Sequence, residues 1–227
     1  MRSRRGVRAR AAAGFSLPEL LLALALGMSL SGLVLQALVG EGGNGLRLSR
    51  LLRERAVQRR TLALLRDDVR RSASISLAPE QESSPCGWSG RQPVLHLRRG
   101  DGTVITYAVG AAPDSIWRGQ VLMRCGPAYG LDGEPGNSGW QNRVVIDALA
   151  AAPAWSRCGG LLLQAGTPLA GSANAGLSAC IDGTGAQLAL RLHQSFALPG
   201  GRQQTVTSTA TALAGGAVIS RALPPDP

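Results

Sequence analysis

Few residues in this chain of 227 carry side chains suited to chemistry, and their spacing narrows the choice quickly. Four cysteines, Cys86, Cys125, Cys158 and Cys180, are spaced 39, 33 and 22 positions apart without a C-x-x-C pair, and there are two histidines, His96 and His193. A zinc site needs clustered thiolates and imidazoles, so no metal is expected. An even count of widely spaced cysteines points instead to two disulfides formed in an oxidising compartment. Three connectivities are open. A Cys158–Cys180 bridge would close a glycine-rich segment, and a Cys86–Cys125 bridge would tie a loop to a strand. Four free thiols are the other state to be tested.

Nucleophilic catalysis finds little support. Gly136-Asn137-Ser138-Gly139 is similar to the nucleophile loop of some chymotrypsin-like proteases, with His96 and Asp101 or Asp114 upstream in triad order. The 42 positions from His96 to Ser138 are too few for the two barrels such a protease needs, and the composition fits a plain turn. Arg99-Gly100-Asp101 spells an adhesion tripeptide, but a tight hairpin wants Asp and Gly there in any case. His193 sits in an alternating, strand-like run and reads as a packed or surface residue. With no glycine-rich phosphate loop and no paired acids, neither a cofactor nor an enzymatic activity is expected.

One acid remains, Glu19, and the element around it dominates the chain. Leu17 to Val39 is a run of 23 residues in which Glu19 is the single charge. As a helix it would reach roughly 34 Å, enough to cross a ~30 Å hydrocarbon layer. A carboxylate in such a helix costs ~2.5–3.5 kcal/mol on insertion scales, which makes it a functional candidate by default. A positively charged amino terminus is the partner most readily supplied at that depth. Arg2, Arg4, Arg5, Arg8 and Arg10 precede the run, and Gly14-Phe15 marks the junction. Pro18 would fall in the first helical turn, where its missing N–H costs little.

Gly14-Phe15-Ser16-Leu17-Pro18-Glu19-Leu20-Leu21-Leu22-Ala23, with its basic leader, resembles the class III signal of type IV prepilins and type II secretion pseudopilins. The resemblance covers Gly14 to Val39. It implies cleavage after Gly14 by a prepilin peptidase, N-methylation of Phe15, and pairing of Glu19 with the new amino terminus of a neighbouring subunit to set filament register. Prepilin peptidase, other pilins or pseudopilins and an inner-membrane assembly platform would be the partners. The protein would be a single-pass subunit of the cytoplasmic membrane with its head outside, entering a pilus or pseudopilus on assembly. The alternatives are a DNA-capturing minor pilin of a competence system and a plain signal-anchored domain.

Gly27 and Gly32 with Ser29 and Ser31 make a small-residue patch suited to close helix approach or simply tolerated in a membrane helix. Gly40-Glu41-Gly42-Gly43-Asn44-Gly45 lowers helix propensity by roughly 1 kcal/mol per glycine, and a flexible joint in a nearly continuous helix is expected there. Helical periodicity resumes from about Leu46 to Ser74. Leu48, Leu52, Ala56, Leu62, Leu65, Val69 and Ala73 form its apolar stripe. Arg47, Arg50, Arg53, Arg59, Arg60, Arg66, Arg70 and Arg71 occupy the other faces, relieved by Glu54, Asp67 and Asp68. This pattern reads as a solvated stalk face.

Alternation then replaces helical spacing. Strands are expected at 94–98 and 103–109 around the Asp101-Gly102 turn, then at 115–124, 143–149, 187–193 and 205–212. The order, with Tyr107, Trp117-Arg118 and Val144 to Asp147 in sequence, resembles the larger minor pilins and pseudopilins of the PilW and PulJ type. The segment from Ala151 to Gly185 has no counterpart in that resemblance.

The expected fold is α+β: a long hydrophobic N-terminal helix continuing as an amphipathic stalk, packed on an antiparallel β-sheet head, as in pilins. Its parts would be a leader (1–14), a membrane or filament-core helix (15–39), the stalk (40–75), the head (76–223) and a disordered tail (224–227). The net charge is +10, falling to about +5 without the leader, and every basic residue is arginine. Nucleic acid would be the partner under the competence reading, held by Arg98, Arg99, Arg118 and Arg124. No aromatic residues are interleaved with the stalk arginines, so a base-stacking platform is missing there.

Overall fold

The computed structural model describes residues 16–77, 85–130, 134–153, 155, 158–162, 166–168, 176–198 and 201–215. Gly14, Phe15 and the tail lie outside them. The chain divides into two compact units, Met1–Leu48 and Ser49–Pro227.

A single helix, α1 (Leu17–Arg70), is assigned without interruption through Gly40–Gly45, where a joint was expected. In the first unit, Leu17–Leu38 has a mean hydropathy of 2.0 and no residue of it is buried within the chain. By length and composition it is able to cross a membrane. Ser16 caps the helix. Its carbonyl accepts from the N–H groups of Glu19 (3.0 Å) and Leu20 (3.1 Å), and its hydroxyl lies 3.3 Å from the Glu19 carboxylate.

The second unit packs the remainder of α1 on an antiparallel sheet of nine strands: β1 (Ser72–Ser76), β2 (Gln92–Arg99), β3 (Val104–Ala111), β4 (Gln120–Tyr129), β5 (Pro135–Leu149), β6 (Gly166–Pro168), β7 (Leu177–Asp182), β8 (Gln187–Ala197) and β9 (Gln203–Leu213). The sheet runs β1-β2-β3-β4-β5-β8-β7-β6, with β9 on the other side of β8. The α+β expectation therefore holds, and the β2–β3 hairpin turns at Asp101-Gly102 as read from the sequence. There Gly102 has a φ of 81° and Asp101 accepts from the Thr103 N–H at 2.9 Å.

Several expected elements shift. The helix stops at Arg70 rather than near Ser74, because Ser72 bonds back to the Val69 carbonyl (2.6 Å) and the chain turns into β1. The strand expected at 115–124 begins only at Gln120. Residues 112–119 form a loop, pinned by the Ile116 N–H on Asp114 (3.0 Å) and by Gly119 at a φ of 59°. Gly136–Gly139, read as a turn, lies inside β5.

The core lies between α1 and the sheet. Leu62, Leu65 and Val69 pack with Leu95, Leu97, Ile105, Leu122, Ile146, Leu188, Leu190 and Leu192. Each such burial contributes about 1.5–3 kcal/mol. The N-terminal part of the expected stripe does not take part, since Leu48 and Leu52 are exposed. A second, smaller cluster joins Cys158, Leu162, Cys180 and Ala189 beside Trp155. Disulfides link Cys86 to Cys125 and Cys158 to Cys180, with Cα–Cα distances of 6.0 and 6.1 Å. These are the two pairs considered from spacing.

Candidate functional site

The face that α1 turns to the sheet carries Glu54, Gln58, Thr61, Leu62, Leu65, Asp68 and Val69, spaced by three or four as one helical face requires. Four of the seven are polar. From the sequence, Glu54 and Asp68 are expected on solvated faces as relief for arginines. Instead both are buried and each meets an arginine, Glu54 that of Arg118 in the loop before β4 and Asp68 that of Arg124 on β4. A buried carboxylate is tolerated only when paired and hydrogen-bonded, and these two are.

Asp68 is the better-furnished site. It is fully buried, and its two oxygens receive four donors: Arg124 Nε (2.7 Å) and Nη2 (3.1 Å), the Tyr107 hydroxyl (2.6 Å) and the Tyr129 hydroxyl (2.5 Å). Arg124 also donates to the Pro127 carbonyl at 3.0 Å and lies 4.8 Å from the Tyr129 ring centroid. β3 supplies Tyr107 and β4 supplies Arg124 and Tyr129. Burial and the Asp68 charge push the Tyr107 phenol well above its ordinary range. Burial and the bond to Asp68 do the same to Tyr129. Burial alone would lower the Arg124 guanidinium, but Asp68 outweighs it and raises it. Two phenols and a guanidinium converging on one buried carboxylate join the helix to β3 and β4.

The second joint is built on a bulge. Gln120 opposes Leu149 and Leu122 opposes Ile146, so Asp147 and Ala148 together face Val121. Ala148 takes a φ of 55° and donates to the Arg118 carbonyl at 2.6 Å. The bulge re-aims Asp147 toward Arg118, as such insertions do. Asp147 accepts from Arg118 Nε (3.0 Å), Nη2 (3.0 Å) and backbone N–H (3.1 Å), while Arg118 Nη1 reaches Glu54 at 3.1 Å. Donation to the Asp147 carboxylate raises the Arg118 pKa against burial, with Glu54 adding to the effect.

Between β5 and β8 the ladder has a single pair, Leu149↔Gln194. Side chains of α1 reach both sides of that seam. Thr61 contacts the Val145 carbonyl on β5 at 3.5 Å, while Gln58 bonds the Val206 carbonyl (3.0 Å) and the Ser208 hydroxyl (2.6 Å) on β9. Arg66 bonds the Thr211 carbonyl at 3.2 Å.

Comparisons with family models, curated proteins and solved structures give no match. At the level of the fold, the order of elements is pilin-like: a long apolar N-terminal helix followed by an antiparallel sheet. The apolar helix and the two disulfides suit a membrane-anchored or exported protein.

Two of the four arginines offered for nucleic acid are committed elsewhere: Arg118 to Glu54 and Asp147, and Arg124, buried, to Asp68. Arg99 lies 3.9 Å from Asp101. His96 is buried with Nδ1 3.0 Å from the Thr106 hydroxyl, and His193 Nδ1 is 2.8 Å from the Thr207 hydroxyl. Among the described residues, no group of three or more His, Cys, Asp or Glu is placed to hold a metal. Glu19 rests against Ser16 at 3.3–3.4 Å, a loose capping-box contact that leaves carboxylate lone pairs available.

Proposed function

We propose that the chain is a minor type IV pilin or pseudopilin, a structural and assembly subunit without catalytic activity. The supporting observation is an exposed apolar helix with one acid, Glu19, in its first turn, followed by an antiparallel sheet. In this reading prepilin peptidase cuts after Gly14, Phe15 is methylated, and the protein stays in the cytoplasmic membrane with its head outside. An inner-membrane assembly platform then feeds it into a filament of pilins or pseudopilins. Bundled apolar helices bury surface in the fibre core. Glu19 exchanges its loose contact with Ser16 for the charged amine of a neighbour, because a full charge is the better partner where water is scarce.

The test is Glu19→Ala beside Gly14→Leu, expressed in a strain that assembles the filament. Glu19→Ala should insert and be cleaved, yet be missing from sheared filaments. Gly14→Leu should stay larger by the mass of the leader. Full recovery of Glu19→Ala in filaments would overturn the reading, as would a mature protein that does not begin at methylated Phe15.

A further inference from the structure

We propose that the outer edge of β9 receives an extended segment of a partner polypeptide bearing carboxylates at alternate positions. The inference does not depend on filament assembly. Among the described residues β9 pairs only with β8. The β8–β9 ladder is bracketed by Leu198 N–H on the Arg202 carbonyl and Ala214 N–H on the Ala186 carbonyl, with no register shift from Gln187↔Leu213 to Ala197↔Gln203. In an antiparallel ladder of that phase, even-numbered residues of β9 turn N–H and C=O toward β8, and odd-numbered residues turn them away. Thr207 and Thr209 therefore present both backbone groups to the open side and Thr205 its N–H, while the Thr205 carbonyl accepts from Gln204 Nε2 at 3.1 Å. Arg66 already uses that side by donating to the Thr211 carbonyl.

An open edge is a template for strand addition, and here the adjoining wall is cationic. A cleft of about 330 Å³ lies along the edge, lined by Arg55 and Arg59 from α1 and by Thr205, Val206, Thr207 and Ser208 from β9. Both arginines are exposed, and neither has an ion-pair partner among the described residues. The acids nearest on the same helix are engaged elsewhere, Glu54 by Arg118, Asp67 by Arg71 and Asp68 by Arg124. The even residues of β9 face α1: Val206 is buried and Ser208 bonds Gln58. A strand added beside them would send every second side chain the same way. Arg55 and Arg59 are four residues apart, about 6 Å along the helix. Alternate strand residues are about 6.6 Å apart, so two carboxylates at i and i+2 would match the two guanidinia. Arginine suits carboxylates by its fork of donors. The open row of backbone donors and acceptors on β9, with which neither a membrane surface nor a nucleic acid backbone forms a ladder, favours a strand.

The experiment uses the full chain in detergent and a fluorescein-labelled ten-residue peptide of alternating Thr and Glu, read by anisotropy. The same peptide N-methylated on alternate amides tests for backbone pairing. Binding should weaken at least about tenfold on N-methylation and in Arg55→Gln/Arg59→Gln, the loss of one or two good contacts. Arg53→Gln/Arg60→Gln, which removes equal charge elsewhere on α1, should change it less than about threefold. Intact disulfides and an unchanged circular dichroism spectrum establish that the variants fold. Absent binding, equal binding of the methylated peptide, or equal losses in both double variants would overturn the proposal. Tighter capture of oligothymidylate or anionic vesicles through the same two arginines would also overturn it.

Discussion

Asp68 and Arg124, 56 positions apart in sequence, face each other through two hydrogen bonds beneath α1, and neither is appreciably exposed. The pair joins the C-terminal part of the helix to the middle of the sheet. Removing one partner would strand a charge in the core, whereas removing both would not.

Asp68→Ala is therefore expected to cost about 3–5 kcal/mol. The double variant Asp68→Leu/Arg124→Met should cost clearly less than the single one. For a chain of this size the single change corresponds to a fall of roughly 10 °C in Tm. Thermal unfolding of the detergent-solubilised chain measures both. Equal destabilisation by the single and double variants would show that the pair's charge is not what matters.

Arg118 is more exposed, so its contribution is smaller despite three bonds to Asp147. Arg118→Ala should cost about 1 kcal/mol after allowance for solvent screening. Arg118→Lys should recover little, since a single ammonium cannot reproduce the forked contact with Asp147 while also reaching Glu54. Tm values for the two variants, read together, check this.

His193 sets an expected pH response. Burial first, and Arg191 second, hold its imidazole below the usual value of 6.5, so the folded state disfavours the protonated ring. Stability from this group is complete above pH ~6.5 and is lost as pH falls through the lower folded value. Tm should decline between pH 7 and pH 5, and His193→Gln should flatten that decline. An unchanged slope in the variant would assign the acid sensitivity to other groups.

Reduction should destabilise the head. Each bridge restricts the unfolded chain by about 3–4 kcal/mol in the chain-entropy account. Replacing Cys158 and Cys180 by Ala, or Cys86 and Cys125, should lower Tm in either case, and reductant should have no further effect once both pairs are replaced. Non-reducing peptide mapping of the native chain should recover Cys86 with Cys125 and Cys158 with Cys180.

What could be read in advance, and what could not, follows from range. The Asp101-Gly102 hairpin and the strands around it are local features, as is the helical period of Leu62, Leu65 and Val69. β8 and β9 were visible from alternation, although each proved longer than expected. Glu54 and Asp68 were misjudged because a charged residue on a helix is normally solvated. Only the arrival of Arg118, from the loop before β4, and Arg124, from β4, makes burial tolerable. The signal was present in the spacing of Glu54, Gln58, Thr61, Leu65 and Asp68, which share one face with the core leucines. The expected stripe runs through Leu48, Leu52 and Ala56 as well as Leu62, Leu65 and Val69, and only its second half lies in the core. Ile116 and Trp117 gave a loop the look of a strand. β7 was hidden in an Ala-, Gly- and Ser-rich stretch whose partner, β8, decides its conformation.

The Cys86–Cys125 bridge encloses β2 and β3 and the start of β4, and the Cys158–Cys180 bridge encloses β6 and most of β7. If the head is pulled between α1 and β9, tension crosses the sulfurs and bypasses the residues between them. Loops of 39 and 22 positions, about 140 and 80 Å of contour at roughly 3.6 Å per residue, are then withheld from extension. A loaded head would lengthen in short steps from its unbridged parts, while the hairpin that holds Tyr107 stays wound.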